Sequence, residues 1–104
     1  MSNPYPNEKF TRAVHSMAVS PKSIQDRVAE AHIESLIHVD PKDLPESIRY
    51  RFTELLRKLT SEKPIGTEGT VLATTNKMSA AEASEIAQEI VTLADSVSSD
   101  YNKL

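Results

Sequence analysis

The chain has 104 residues, a formal net charge of −3, 38% hydrophobic and 26% charged residues, and no cysteine. That length supports one domain around one core, and the missing cysteines exclude a disulfide framework, a thiol nucleophile and a cysteine metal site. The acidic balance supplies no global basic field for nucleic acid, while three tyrosines, two phenylalanines, no tryptophan and two glycines impose an aliphatic core with few tight β-turns.

Residues 1–6 contain Pro4 and Pro6 and read as an extended lead-in, without the basic and apolar regions of a secretory signal. Asn7 is placed to cap a first helix with the stripe Phe10, Ala13, Val14 and Met17. Ser20-Pro21 reads as an N-cap followed by proline at the first helical position, which starts a second helix over residues 21–38. Ser20-Pro21-Lys22 also resembles a proline-directed phosphorylation site, although a cap accounts for the same residues. In this helix Ile24, Val28 and Ala31 share one face, while Ala29, Ile33, Leu36 and Ile37 spread around another. An apolar arc so wide marks a central helix with neighbours on two sides.

Pro41 breaks that helix. Asp43, with Pro45 in the first turn and Glu46 three residues on, predicts a capping box for a third helix. Its apolar stripe is Ile48, Phe52, Leu55, Leu56 and Leu59. A short fourth helix is expected over residues 68–77, with Val71, Leu72 and Met78 facing inward, although Thr70, Thr74 and Thr75 are weak helix formers. Ser79 and Glu82 then form an S-x-x-E capping box. Behind it Ala83, Ile86, Ile90, Leu93 and Val97 recur at spacings of three and four, the seam of a helix that packs along another. This last helix is expected over residues 80–97, with 7–97 as the single helical domain and 98–104 as a frayed tail. The expected fold is all-α: a compact bundle of four to five helices with short loops containing Pro or Gly, the third and fifth helices being antiparallel neighbours. No apolar run approaches the ~20 residues of a membrane span, so a cytoplasmic protein without a membrane partner is expected.

The third helix carries Arg49, Arg51, Arg57 and Lys58 around Tyr50, which has the outline of a basic face for phosphate backbones. Arg51 and Lys58 also flank its apolar seam, and Glu82 and Glu89 flank the seam of the last helix. Antiparallel packing then predicts opposite-charge pairs across the two edges. With no glycine-containing helix-turn-helix corner, nucleic acid is the weaker reading. Among His15, His32 and His38, the last two are six apart and lie on different faces, unlike an i, i+4 ligand pair. No metal or cofactor is expected, and His32, on the apolar side near Gln25, is expected to be a boundary residue with a satisfied hydrogen bond. Residues 63–70 hold both glycines ahead of a helix, as a phosphate-cradling loop would. They lack the Gly-Lys-Ser/Thr ending, and Glu68 would repel a phosphate, so a connecting loop is expected. No carboxylate or serine has a catalytic setting.

The sequence therefore points to a small non-enzymatic binding or adaptor protein that acts through a helical surface. The candidate surface is Arg49 and Arg57 with Gly66, Thr67, Glu68 and Gly69. A homodimer is the expected form, because Tyr5, Phe10, Ile37, Val39 and Leu104 are hard to bury together in one small core. The alternatives are a nucleic-acid-associated accessory protein using the basic face of the third helix, and an inhibitor or regulatory subunit of a co-encoded enzyme.

Overall fold

A computed structural model describes residues 4–64, 66 and 69–102. Among the described residues five α-helices form the bundle: α1 (Pro4–Val19), α2 (Ile24–Glu34), α3 (Glu46–Leu59), α4 (Gly69–Thr75) and α5 (Ala80–Tyr101). Two 3-10 turns, Leu36–His38 and Pro41–Asp43, lie between α2 and α3. No strand occurs among the described residues, and no helix there is long and apolar enough to cross a membrane.

The helix ends show which local signals win. On α5 the capping box is complete: the Ser79 hydroxyl accepts from the Glu82 amide and the Glu82 carboxylate accepts from the Ser79 amide, both at 3.0 Å. On α2 the cap is Ser23, which accepts from the Asp26 amide, and not Ser20. The Ser20 amide still bonds the Ser16 carbonyl at the end of α1, so Ser20 cannot also begin the next helix. Asp43 likewise fails as a cap for α3. Asp40 accepts from the Lys42 amide and opens the 3-10 turn that Asp43 closes. Pro45 then disfavours a helical conformation at Leu44, which is extended at ψ 154°. Pro45 becomes the N-cap without a side-chain bond.

Two helices outrun their expected limits and two stop short. α1 begins at Pro4, because Pro4 and Pro6 occupy a first turn in which no amide donor is needed; Asn7 lies inside the helix, and Pro6 is fully buried. α5 continues through Tyr101, so residues 98–101 extend the helix rather than fray. α2 ends at Glu34. Ser35 leaves the helical region at φ −132°, and the 3-10 turn behind it directs Leu36 and Val39 into the core. α4 has seven residues and buries Ala73, Thr74 and Thr75 rather than Val71 and Leu72, which are half-buried. Its threonines are tolerated because they are bonded: the Thr74 hydroxyl donates to the Thr70 carbonyl at 2.8 Å and accepts from the Glu62 amide at 3.0 Å.

One core joins Phe10, Ala13 and Met17 of α1, Val28 and Ala31 of α2, Phe52, Leu55 and Leu59 of α3, and the whole Ala83–Val97 seam of α5. Phe10 and Phe52, the only phenylalanines, meet edge to face at 5.6 Å. α2 packs against α1, α4 and α5, as its wide apolar arc requires, and α5 shares the centre by packing against α1, α2 and α3. α3 runs antiparallel to α5. Its start, at Pro45 and Ser47, faces Asp95 and Ser99; its middle bonds Arg51 to Glu89; and its end, at Lys58, shares a groove with Glu82.

The caps make a direct comparison. Ser79→Ala and Ser23→Ala should each cost about 1 kcal/mol in urea unfolding, and Ser20→Ala should stay within about 0.5 kcal/mol. An equal loss from Ser20→Ala would place the start of α2 at the wrong serine.

Candidate functional site

An open groove of about 750 Å³ lies between α3, α4 and α5. Its floor is apolar, from Leu55, Ile86 and Met78, and its rim is mostly charged. Each wall follows from a helix repeat. On α3, Leu55 belongs to the buried stripe, while Tyr50, Glu54, Arg57 and Lys58 stand beside it. On α5, Ile86 lies in the seam, with Glu82, Glu85 and Glu89 along one edge. The short α4 and the turn behind it close the third side. That corner is tied down by Lys77 to Glu62 at 2.9 Å and by the Gln25 amide donating to the Met78 carbonyl at 3.2 Å.

Ion pairs neutralise most of the rim. Arg51 crosses between α3 and α5 and grips Glu89 with both a 2.7 Å and a 3.2 Å bond, a two-point contact that fixes geometry as well as charge. The Glu89 carboxylate raises the Arg51 pKa further, first through the hydrogen bond and then through its charge. Arg57 bonds Glu54 at 2.6 Å and holds its carboxyl below the usual carboxylate range. The predicted partner of Lys58, Glu82, instead turns back to cap α5. The Ser79 amide, followed by the Ser79 hydroxyl, keeps Glu82 ionised below the usual range.

The described residues of the candidate surface read from the sequence take different places. Arg57 lines the groove. Arg49 does not; its guanidinium donates to the Leu44 and Lys42 carbonyls and pins the corner ahead of α3. Gly66 and Gly69 are exposed, and Thr67 and Glu68 lie outside the described residues. Gly69 has φ +83°, a left-handed conformation that favours glycine for its backbone alone, since an added Cβ would meet nothing within 4 Å. Of the apolar residues that seemed hard to place, Phe10 and Val39 are buried in the core, Tyr5 and Ile37 are exposed, and Leu104 lies outside the described residues. Tyr50, read from the sequence only as part of the basic face of the third helix, also stands at the groove. It is 73% exposed on the groove rim, with its hydroxyl donating to Glu54 at 3.2 Å. Its signal was a large aromatic on the polar edge of an amphipathic helix.

His32 departs from expectation. It is buried, but Nδ1 has no hydrogen-bond partner among the described residues, and the Gln25 amide donates to Met78. Burial lowers its pKa below 6.5. Among the described residues no group of three or more His, Asp or Glu side chains is placed to hold a metal ion.

Comparison of the chain with known protein families, with curated proteins and with solved structures gives no match.

The depressed pKa of His32 gives a pH dependence with a defined sign. The unfolded chain takes up the proton more readily, so stability is full above pH 6.5 and declines as pH falls below it toward the folded-state value. His32→Leu should flatten that decline and raise stability at pH 7 by about 1 kcal/mol, by removing an unsatisfied buried polar atom. Urea titrations at pH 7.5 and 5.5 check both effects; an unchanged slope in the variant would assign the acid sensitivity to other groups.

Proposed function

We propose that this chain is a non-enzymatic binding module that docks another protein in the α3–α4–α5 groove. The observation that carries the reading is the apolar floor of Leu55, Ile86 and Met78 set inside a charged rim, the layout of a protein contact with a desolvated centre and a polar border. Tyr50 adds an exposed aromatic at the rim, of the kind enriched among residues that dominate binding energy. The state of the basic residues favours protein over nucleic acid. Arg49 is spent on backbone carbonyls, Arg51 on Glu89 and Arg57 on Glu54, and Glu82, Glu85 and Glu89 share the same groove.

Self-association is a second form of this reading, favoured by Ile33 and Ile37, which are 41% and 57% exposed at the end of α2 and in the turn after it. Light scattering after size exclusion should then give twice the monomer mass, and a monomer at every concentration removes the dimer.

The groove itself is tested by a photo-crosslinking residue at Lys58 and by a control at Lys22, an exposed position away from the groove. The expected result is a discrete protein captured only from position 58. Once purified, that partner should bind the unlabelled chain and lose about tenfold or more in affinity to Tyr50→Ala, with the melting temperature unchanged. Equal capture from both positions, or a partner indifferent to Tyr50→Ala, contradicts the proposal.

A further inference from the structure

The charge left over in the groove identifies the kind of segment it accepts. Three of its cations are already satisfied by its own carboxylates: Arg51 by Glu89, Arg57 by Glu54 and Lys77 by Glu62. Among the groups of the rim, Glu85 has no ion-pair or hydrogen-bond partner among the described residues. Glu82, three residues earlier on the same edge of α5, spends its hydrogen bond on a backbone amide, which leaves its negative charge uncompensated. Across the groove the single cation without such a partner is Lys58. The α5 wall is therefore net acidic, above a floor of Leu55, Ile86 and Met78.

The backbone of the occupant is constrained as well. The groove is lined by helix side chains, and the described residues contain no sheet edge to which an extended strand could add. An extended segment would set unpaired amides and carbonyls against the apolar floor, where each is costly. A helix brings its backbone bonds with it and presents only side chains.

Resting on the reading of the groove as a protein-docking site, we propose that its occupant is an amphipathic helix of a partner protein. Its apolar stripe lies on Leu55, Ile86 and Met78, and its lysine- or arginine-bearing edge lies along Glu82 and Glu85. The cationic edge supplies what the α5 wall lacks, and the stripe meets chiefly the half-buried Met78, since Leu55 and Ile86 beneath it are already buried.

The test uses two synthetic helical peptides of about 21 residues, long enough to hold helical structure. Both have leucine at heptad a and d positions; one carries lysine at the flanking positions and the other glutamate. Methyl-labelled methionine reports the contact, since Met78 lines the groove while Met17 is buried in the core and serves as reference. The lysine peptide should shift the Met78 methyl and leave Met17 in place. Glu85→Lys should weaken it about fivefold, whereas Glu34→Lys, the same charge change on an exposed site outside the groove, should not. If the glutamate peptide binds as tightly, or if Glu34→Lys weakens binding as much as Glu85→Lys, the cationic edge is overturned while the groove stands as a docking site. If neither peptide moves the Met78 methyl, the helical occupant and the docking site both fall.

Discussion

The aliphatic seam of α5 is the constraint on which the other helices depend. Ala83, Ile86, Ile90, Leu93 and Val97 are all buried, none more than 6% exposed, and burial of each larger side chain is worth about 1.5–3 kcal/mol. α1, α2 and α3 all pack against this one helix. Its small member, Ala83, and the alanines Ala13, Ala29 and Ala31 are fully buried. With few aromatics available, the core is mainly aliphatic. The Phe10–Phe52 contact is the exception, and it joins the first helix to the third across the core.

The groove is a consequence of how α3 reaches that seam. α3 contributes Phe52, Leu55 and Leu59 to the core, and the two-point Arg51–Glu89 contact sets its register on α5. Below that bridge the third side of the space falls to α4, which has only seven residues. A helix so short leaves a groove beside it, with the half-buried Met78 and the buried Leu55 and Ile86 at its floor. The same antiparallel register that satisfies Arg51 brings the acidic edge of α5 into the groove. Structural and functional roles therefore divide the carboxylates between them: Glu89 holds the helices together, Glu82 caps one of them, and Glu85 is committed to neither.

Features carried by neighbouring residues were legible in the sequence. The Ser79–Glu82 box needs four consecutive residues, and the α5 seam needs only its own periodicity. The Arg51–Glu89 pair followed from flanking positions on two seams once antiparallel packing was assumed. Signals that competed with one another were not legible. Ser20 and Ser23 are both good caps, and the continuation of α1 decides between them; Asp43 lost to the turn begun by Asp40 and to Pro45. The Lys58–Glu82 pair was a sound register argument defeated by a nearer donor, the Ser79 amide. The site itself was largely hidden, because its walls come from three helices separated in the chain. Of the described residues first read as a surface, Arg57 alone lines the groove, and the fate of Arg49 depends on carbonyls whose direction no sequence pattern reveals.

The antiparallel placement of α3 on α5, which creates the groove, is open to one direct measurement. The chain has no cysteine, so a nitroxide on Ser47→Cys labels a single site at the start of α3. Paramagnetic broadening along α5 should be strongest at residues 95–100 and fade toward residues 80–85, which lie about 1.5 Å further away with each residue along the helix. Broadening that peaks at residues 80–85 instead would reverse the direction of α3 on α5, carry Lys58 away from Glu82 and remove the groove from the account.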